Sequence, residues 1–224
     1  SRVGGTELLR TALAYWIDQD PGPALVVYPN EQTAEEQIVK EVRPLIEQMP
    51  VLSRHRLGGR GDEKKNEINL DVMTVYIGWS GSAQSTAGRT CRYVAQDEVD
   101  KFQPFSGRDA DPLSLADRRT ETYAARKKNV MASTPTTRDG NIARAAERCQ
   151  DRRHFHFSCP RCAHEQPLAW GDGGKSAPGG VRWPKNEEPR RKQADRIKAE
   201  QSAWYECRAC GGRIEERDKA ALLW

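Results

Sequence analysis

Arg92-Tyr93-Val94-Ala95-Gln96-Asp97-Glu98-Val99-Asp100 is the stretch on which the fold turns. A short apolar run ending in adjacent carboxylates is the pattern of a strand buried on both faces, delivering acid groups to its carboxyl end, where open α/β sheets bind ligands. Taken alone, the Asp-Glu pair reads more readily as an acidic helix N-cap. The segments on either side decide between the two.

Upstream, Ala24-Leu25-Val26-Val27-Tyr28 is a second continuous apolar run, and Asp20-Pro21-Gly22-Pro23 before it is a break. Leu8, Leu9, Ala12, Leu13 and Trp16 share one face of a helix predicted over Glu7 to Ile17. Ala34, Ile38, Val42 and Leu45-Ile46 predict a helix from Glu31 to Met49, with acidic residues early as the macrodipole favours. Ile68 to Trp79 alternates and is rich in β-branched residues, so one long strand or two joined strands are expected. Gly78 to Thr90 reads as a loop or short helix start. Downstream, Asp111 to Lys128 has helical composition, Asn129 to Ala132 is a short strand, and a further helix is expected from about Asn141 to Cys149. Strands alternating with helices predict an α/β fold with a mostly parallel, doubly wound sheet.

The texture changes near Arg153. Cys159-Pro160-Arg161-Cys162 and Cys207-Arg208-Ala209-Cys210 are C-x-x-C knuckles, and together they hold four of the six cysteines. Four thiolates on two tight turns suit tetrahedral Zn²⁺ without an open position, so a small zinc ribbon is expected from about Asp151 to Trp224. Phe155, Phe157, Trp204 and Tyr205 flank the knuckles as hairpin strands would. His154 and His156 alternate with the phenylalanines and read as strand surface. The Gly, Pro and charge-rich stretch Gly171 to Gln201 is expected to be a loop with a helical part from Glu187. Cys91 and Cys149 read as small apolar fillers.

The chain has 224 residues and a net charge of +4, which permits a polyanionic partner without demanding one. It contains no apolar run near the roughly 18 residues that span a bilayer and no secretory leader pattern, so a soluble intracellular chain is expected.

Three elements in order suggest nucleotide chemistry. Gly4-Gly5-Thr6 feeding a helix can turn backbone N–H groups onto phosphates and offer a hydroxyl to Mg²⁺. Asp97 is read as a second Mg²⁺ ligand, and Glu98 as the residue that orients and polarises water for attack on a γ-phosphate. Val130-Met131-Ala132 leads to Ser133, Thr134 and Pro135, which can sense the γ-phosphate and pass on the change. A Gly turn, an acidic cap and a plain post-strand turn are the alternatives.

This ordered set, with Gly78-Trp79-Ser80-Gly81-Ser82-Ala83 between its parts, resembles the large terminase subunits of lambda-type tailed phages. The closest stretches are Arg2-Val3-Gly4-Gly5-Thr6-Glu7, Tyr28-Pro29, Gln96-Asp97-Glu98-Val99-Asp100 and Ala132-Ser133-Thr134-Pro135. The resemblance implies a P-loop NTPase core of the ASCE type over residues 1–150, ATP and Mg²⁺ as ligands, and ATP-driven packaging of viral double-stranded DNA in the host cytoplasm. It also implies a ring at a procapsid portal and a small terminase subunit as partner. In that family the phosphate-loop lysine precedes the glycines, so the chain is expected to be a fragment lacking that lysine and a following endonuclease domain. Arg2 is a further candidate for phosphate contact. A helicase-like ATPase, or a zinc-ribbon DNA-binding protein with an inert ATPase half, uses the same parts.

Overall fold

A computed structural model describes residues 4–59, 63–103, 111–170, 178–184 and 189–218. Arg2 lies outside these residues. The chain divides into two compact units, Ser1–Cys149 and Gln150–Trp224.

In the first unit, helix α1 (Gly5–Asp18) leads to strand β1 (Ala24–Tyr28), every residue of which is buried. Helix α2 (Glu31–Gln37) is capped by the Asn30 side chain, which accepts from Thr33 N at 2.8 Å. The helix expected through Met49 is continuous to Gln48, but its middle, Ile38–Val42, widens into a π turn before α3 (Arg43–Gln48). Pro44 has no N–H to return to the Lys40 carbonyl, and the Arg43 N–H reaches back to Ile38 O instead. A short helix α4 (Pro50–Ser53) follows.

The expected Ile68–Trp79 strand is two: β3 (Glu67–Asn69) and β4 (Thr74–Trp79), antiparallel across a turn closed by Leu70 N to Met73 O at 2.9 Å, with β2 (Glu63–Lys64) outside β3. Helix α5 (Ala83–Thr86) precedes β5 (Tyr93–Asp97), again buried throughout. The helix expected over Asp111–Lys128 is shorter. Helix α6 (Pro112–Arg118) ends where the Thr120 hydroxyl bonds the Asp117 carbonyl at 2.6 Å, and a 3₁₀ stretch Glu121–Arg126 leads into β6 (Lys128–Ala132). Helix α7 (Asn141–Glu147) closes the unit.

Among the described residues the sheet runs β2-β3-β4-β1-β5-β6, and β4, β1, β5 and β6 are mutually parallel. The fold class is therefore α/β with a mostly parallel sheet. Side chains alternate across it. Ala24, Val26, Tyr28, Tyr93 and Ala95 pack with Leu9, Leu13, Trp16, Ile38 and Val42 on one face, whereas Leu25, Val27 and Val94 pack with Cys91 and Ala116 on the other. The Trp16 ring stacks on Tyr93 with centroids 4.4 Å apart. At the amino end of β5 the nearly buried Arg92 guanidinium meets Asp20 at 2.7 Å. Parallel pairing brings the carboxyl ends of β1, β5 and β6 to one edge of the unit, with Asp97 opposite Ala132.

The second unit is built on hairpins. Strands β7 (His156–Ser158) and β8 (Glu165–Pro167) pair antiparallel. A three-stranded sheet joins β9 (Gly180–Arg182), β10 (Trp204–Glu206) and β11 (Arg213–Ile214), with helix α8 (Arg190–Glu200) between β9 and β10. Strand β9 lies inside the stretch expected to be a loop. It forms because β10 offers a ladder at Trp204 to Glu206, a partner that local sequence does not reveal. Phe157 and Tyr205 meet edge to face at 5.2 Å and pack with Cys159, Cys207 and Ile214.

Candidate functional site

Gly4 is the N-cap of α1 with φ 84°, a left-handed conformation that glycine adopts without steric penalty. Its carbonyl accepts from Leu8 N at 2.9 Å, so the helix starts at once and directs its first N–H groups toward the carboxyl edge of the sheet. Thr6, on that first turn, donates its hydroxyl to Asp97 at 3.0 Å to Oδ2, with Oδ1 at 3.3 Å. Residues 91 positions apart in sequence thus converge on one point.

Asp97 is buried at the end of β5, and its Oδ1 also accepts the Glu98 N–H at 3.0 Å. Burial pushes its carboxyl above the usual carboxylate range; the Thr6 hydroxyl opposes that and the Glu98 charge adds to it. Glu98 has φ 53° and ψ 46°, left-handed for a residue with a β-carbon, which costs roughly 1–2 kcal/mol. Such strain is held by surrounding structure and clusters at functional sites. The Glu98 carboxylate accepts from Lys101 Nζ at 2.6 Å across a 3₁₀ turn, Val99–Lys101. Gln96, two residues before Glu98, is fully buried on β5, and among the described residues neither its Oε1 nor its Nε2 has a hydrogen-bond partner.

Beside this turn lies the segment after β6. Asp100 N donates to Ser133 Oγ at 3.1 Å. The Asp100 carboxylate accepts from Thr136 N at 2.8 Å, Thr136 Oγ1 at 3.1 Å and Ile142 N at 2.7 Å. Burial would raise the Asp100 carboxyl, but the Ile142 and Thr136 amides outweigh it and hold the group below the usual range. Asn141 Nδ2 donates to Val99 O at 2.8 Å.

The four knuckle cysteines place their sulfurs within 4.8 Å of one another, with Cys159 to Cys210 at 3.9 Å and Cys162 to Cys207 at 3.8 Å. Arg161 N donates to Cys159 Sγ and Gly212 N to Cys210 Sγ, each at 3.4 Å, and Gln166 Nε2 donates to Cys207 Sγ at 3.2 Å. Burial acts to raise the Cys207 thiol, but the Cys210 and Ala209 amides and the Gln166 side chain bring it down to about 6.

Over residues 1–224 the chain matches the family described as phage terminase large subunit gpA, ATPase domain. The chain belongs to that family. Among its relatives are the large terminase subunits of Enterobacteria phage P21, 27% identical over 192 residues, and Escherichia phage lambda, 27% identical over 188 residues. Those alignments cover 84% and 82% of this chain but 29% of each relative, so the chain spans less than a third of the length of the relatives it matches.

In this terminase ATPase-domain chain, the structure brings together Gly4, Gly5, Thr6, Asp97 and Glu98 at one sheet edge, and Ser133 beside Asp100. Thr134 and Pro135 follow Ser133 with exposed side chains. Cys159, Cys162, Cys207 and Cys210 form one cluster, and among the described residues no histidine joins it. Cys91 is buried as expected of a filler, whereas Cys149 is exposed just past α7. Sequence reading missed two residues. Gln166 is buried, bonding Cys207 Sγ and accepting Arg208 N at 3.0 Å, and nothing in a lone Gln between strand residues announces that. Asp100 was legible only as one more acid after Asp97 and Glu98. No described helix is long and apolar enough to cross a membrane.

Proposed function

We propose that this chain is the ATP-hydrolysing part of a viral DNA-packaging motor: a P-loop NTPase core of the ASCE type to about Gln150, followed by a zinc ribbon. On this reading it couples ATP hydrolysis to movement of double-stranded DNA into a procapsid in the host cytoplasm. It would act within a ring at the portal, with a small terminase subunit and an endonuclease domain in the same large subunit. Family membership supports the reading, and the observation that carries it is the Thr6 hydroxyl seated on the Asp97 carboxylate at the carboxyl end of a buried strand.

The first N–H groups of α1, behind Gly4 and Gly5, would take the phosphates, because helix N-termini present unpaired donors and a positive dipole end. Thr6 and Asp97 would hold Mg²⁺. Both offer hard oxygens, and a divalent cation compensates the carboxylate charge that burial disfavours. When bound, the ion supplies charge neutralisation across the phosphates. Glu98, one residue beyond Asp97, would orient a water and take its proton. The ion pair with Lys101 fixes that carboxylate in the structure described, so its release or rotation precedes water activation. Ser133, Thr134 and Pro135, at the adjacent strand end, would sense the γ-phosphate and pass on the change. Arg2 remains a candidate phosphate contact.

A tetrahedral Zn²⁺ site with Zn–S bonds of about 2.3 Å has S···S edges of about 3.8 Å, and the two short sulfur pairs measure 3.8 and 3.9 Å. Cys159, Cys162, Cys207 and Cys210 therefore fit a closed structural zinc site. The amides aimed at the sulfurs favour the thiolate form a metal needs.

The test is steady-state ATP hydrolysis by the protein carrying this chain at full length, with and without double-stranded DNA, comparing wild type with Glu98→Gln. DNA-stimulated turnover that falls at least about 100-fold in the variant, with nucleotide binding kept, is expected for loss of a catalytic base. Unchanged turnover in Glu98→Gln sinks the assignment of that residue.

A further inference from the structure

The 3₁₀ turn carrying Glu98 is not free to move by itself, because Asp100 at its centre is bonded to two other segments. The Asp100 main-chain N–H reaches Ser133, its Oδ2 accepts two bonds from Thr136, and its Oδ1 accepts a first-turn amide of α7 at Ile142. Asn141 returns a fifth bond to the same turn at Val99 O. Gly140 shows how closely the parts fit, since a β-carbon there would collide with the Asp100 carboxylate. In effect one side chain ties the water-orienting turn, the Ser133–Thr136 segment and the start of α7 into a single unit.

The geometry points to Asp100 as the positioning residue that transmits a change at Glu98 to the Ser133–Thr136 segment and α7, and so couples nucleotide turnover to DNA. This inference rests on the motor reading above. The physical reason is the direction of the bonds. A charged acceptor holding three donors from two segments makes charge-assisted bonds of roughly twice the strength of neutral ones. A rotation of the Glu98 turn must therefore carry those segments along or break several such bonds at once. The hydrogen bonds of Asp100 go to Ser133, Thr136 and Ile142 and those of the Thr6–Asp97 pair to each other and to Glu98 N, so on this inference nucleotide binding does not depend on Asp100 directly. Helix α7 with its C-cap then presents Arg144 and Arg148 along a cleft of about 580 Å³ that Asp111, Asp117 and Asn129 also line, so its displacement rearranges a charged surface.

The experiment uses the full-length protein carrying this chain and compares wild type, Asp100→Ala, Asp100→Asn and Gly140→Ala. Asn keeps the volume but can accept on one arm only, and Gly140→Ala wedges the carboxylate off its partners without removing it. Expected is a fall of about tenfold or more in the ratio of DNA-stimulated to basal turnover for Asp100→Ala and Gly140→Ala, within the span of measured couplings. Asp100→Asn should fall between these and wild type. The KM for ATP should stay within about twofold, since the interactions lost are not with the nucleotide. Hydrogen exchange at residues 133–142 on adding ATPγS should slow in wild type and not in Asp100→Ala.

Folded variants that keep full stimulation overturn the inference. A parallel loss of ATP affinity and basal turnover overturns it as well, by marking Asp100 as a plain structural clamp. If Asp100→Ala fails to fold, Asp100→Asn and Gly140→Ala decide. Absence of any turnover in wild type defeats the motor reading itself, whereas normal turnover with unaltered coupling defeats only the role of Asp100.

Discussion

The two units of this chain solve the stability problem by opposite means. Ser1–Cys149 buries a six-stranded sheet, as described, between helices on both faces, with Ile17, Leu25, Val75, Ile77 and Val94 wholly out of solvent. Gln150–Trp224 has strands of two or three residues among those described and an apolar cluster of Phe157, Tyr205 and Ile214 around two of its cysteines. The first has the apolar area to fold by burial alone; the second has much less, and the metal proposed at its four sulfurs would take the place of a larger core. Hence the machinery proposed for chemistry sits on the unit that needs no ligand to be rigid, and the unit proposed to hold zinc has a clip in place of a core.

The comparison breaks most visibly if the metal is removed. Structural zinc contributes on the order of 10–16 kcal/mol of apparent binding free energy in small domains. Chelation, or Cys207→Ser, should therefore open residues 150–224 to protease while the first unit still melts cooperatively; unchanged resistance in the metal-free protein would mean that the cluster is not a structural site. The converse change comes next. Ile77→Ala leaves a cavity between β4 and the α1 layer and should lower the stability of the first unit by about 2–5 kcal/mol, read by denaturant unfolding, with no change in zinc content. The smallest effect should be a gain. Gln96→Met removes a buried amide without partners and keeps its length, so the first unit should become more stable by roughly 1–3 kcal/mol. A loss of stability there would show that the amide of Gln96 is satisfied in solution, by water or by a ligand at the neighbouring acidic edge.

Much of this was legible because the signals were local. Ala24–Tyr28 and Tyr93–Ala95 are buried on both faces, and a strand in that setting reads as a continuous apolar run, which β5 leaves only at its carboxyl end with Gln96 and Asp97. Each C-x-x-C turn announces itself because two thiols three residues apart can face one ligand from a single turn, whereas the meeting of the two turns, 45 and 51 positions apart at their short sulfur pairs, is a tertiary fact. Thr6 and Asp97 could be paired by the order of their motifs, and the packing of α1 against β5 brought them together. Helix ends were less legible. Pro44 reset the hydrogen-bond ladder upstream of itself, and Thr120 stopped α6 through a side-chain bond to Asp117, both too fine for hydrophobic periodicity to register.

What the sequence by itself determined is the apolar strands, the helical faces, the glycine loop, the acidic strand end and the two pairs of thiols, each a property of neighbours along the chain. Tertiary structure alone decided that Gly180–Arg182 is a strand, that Gln166 serves a sulfur 41 positions away, and that Asp100, not a more conspicuous residue, gathers Ser133, Thr136 and Ile142. The reason is common to all three. A polar or glycine-rich residue carries no periodic signal of its own, and its partner is chosen by which donors and acceptors the folded chain leaves within reach.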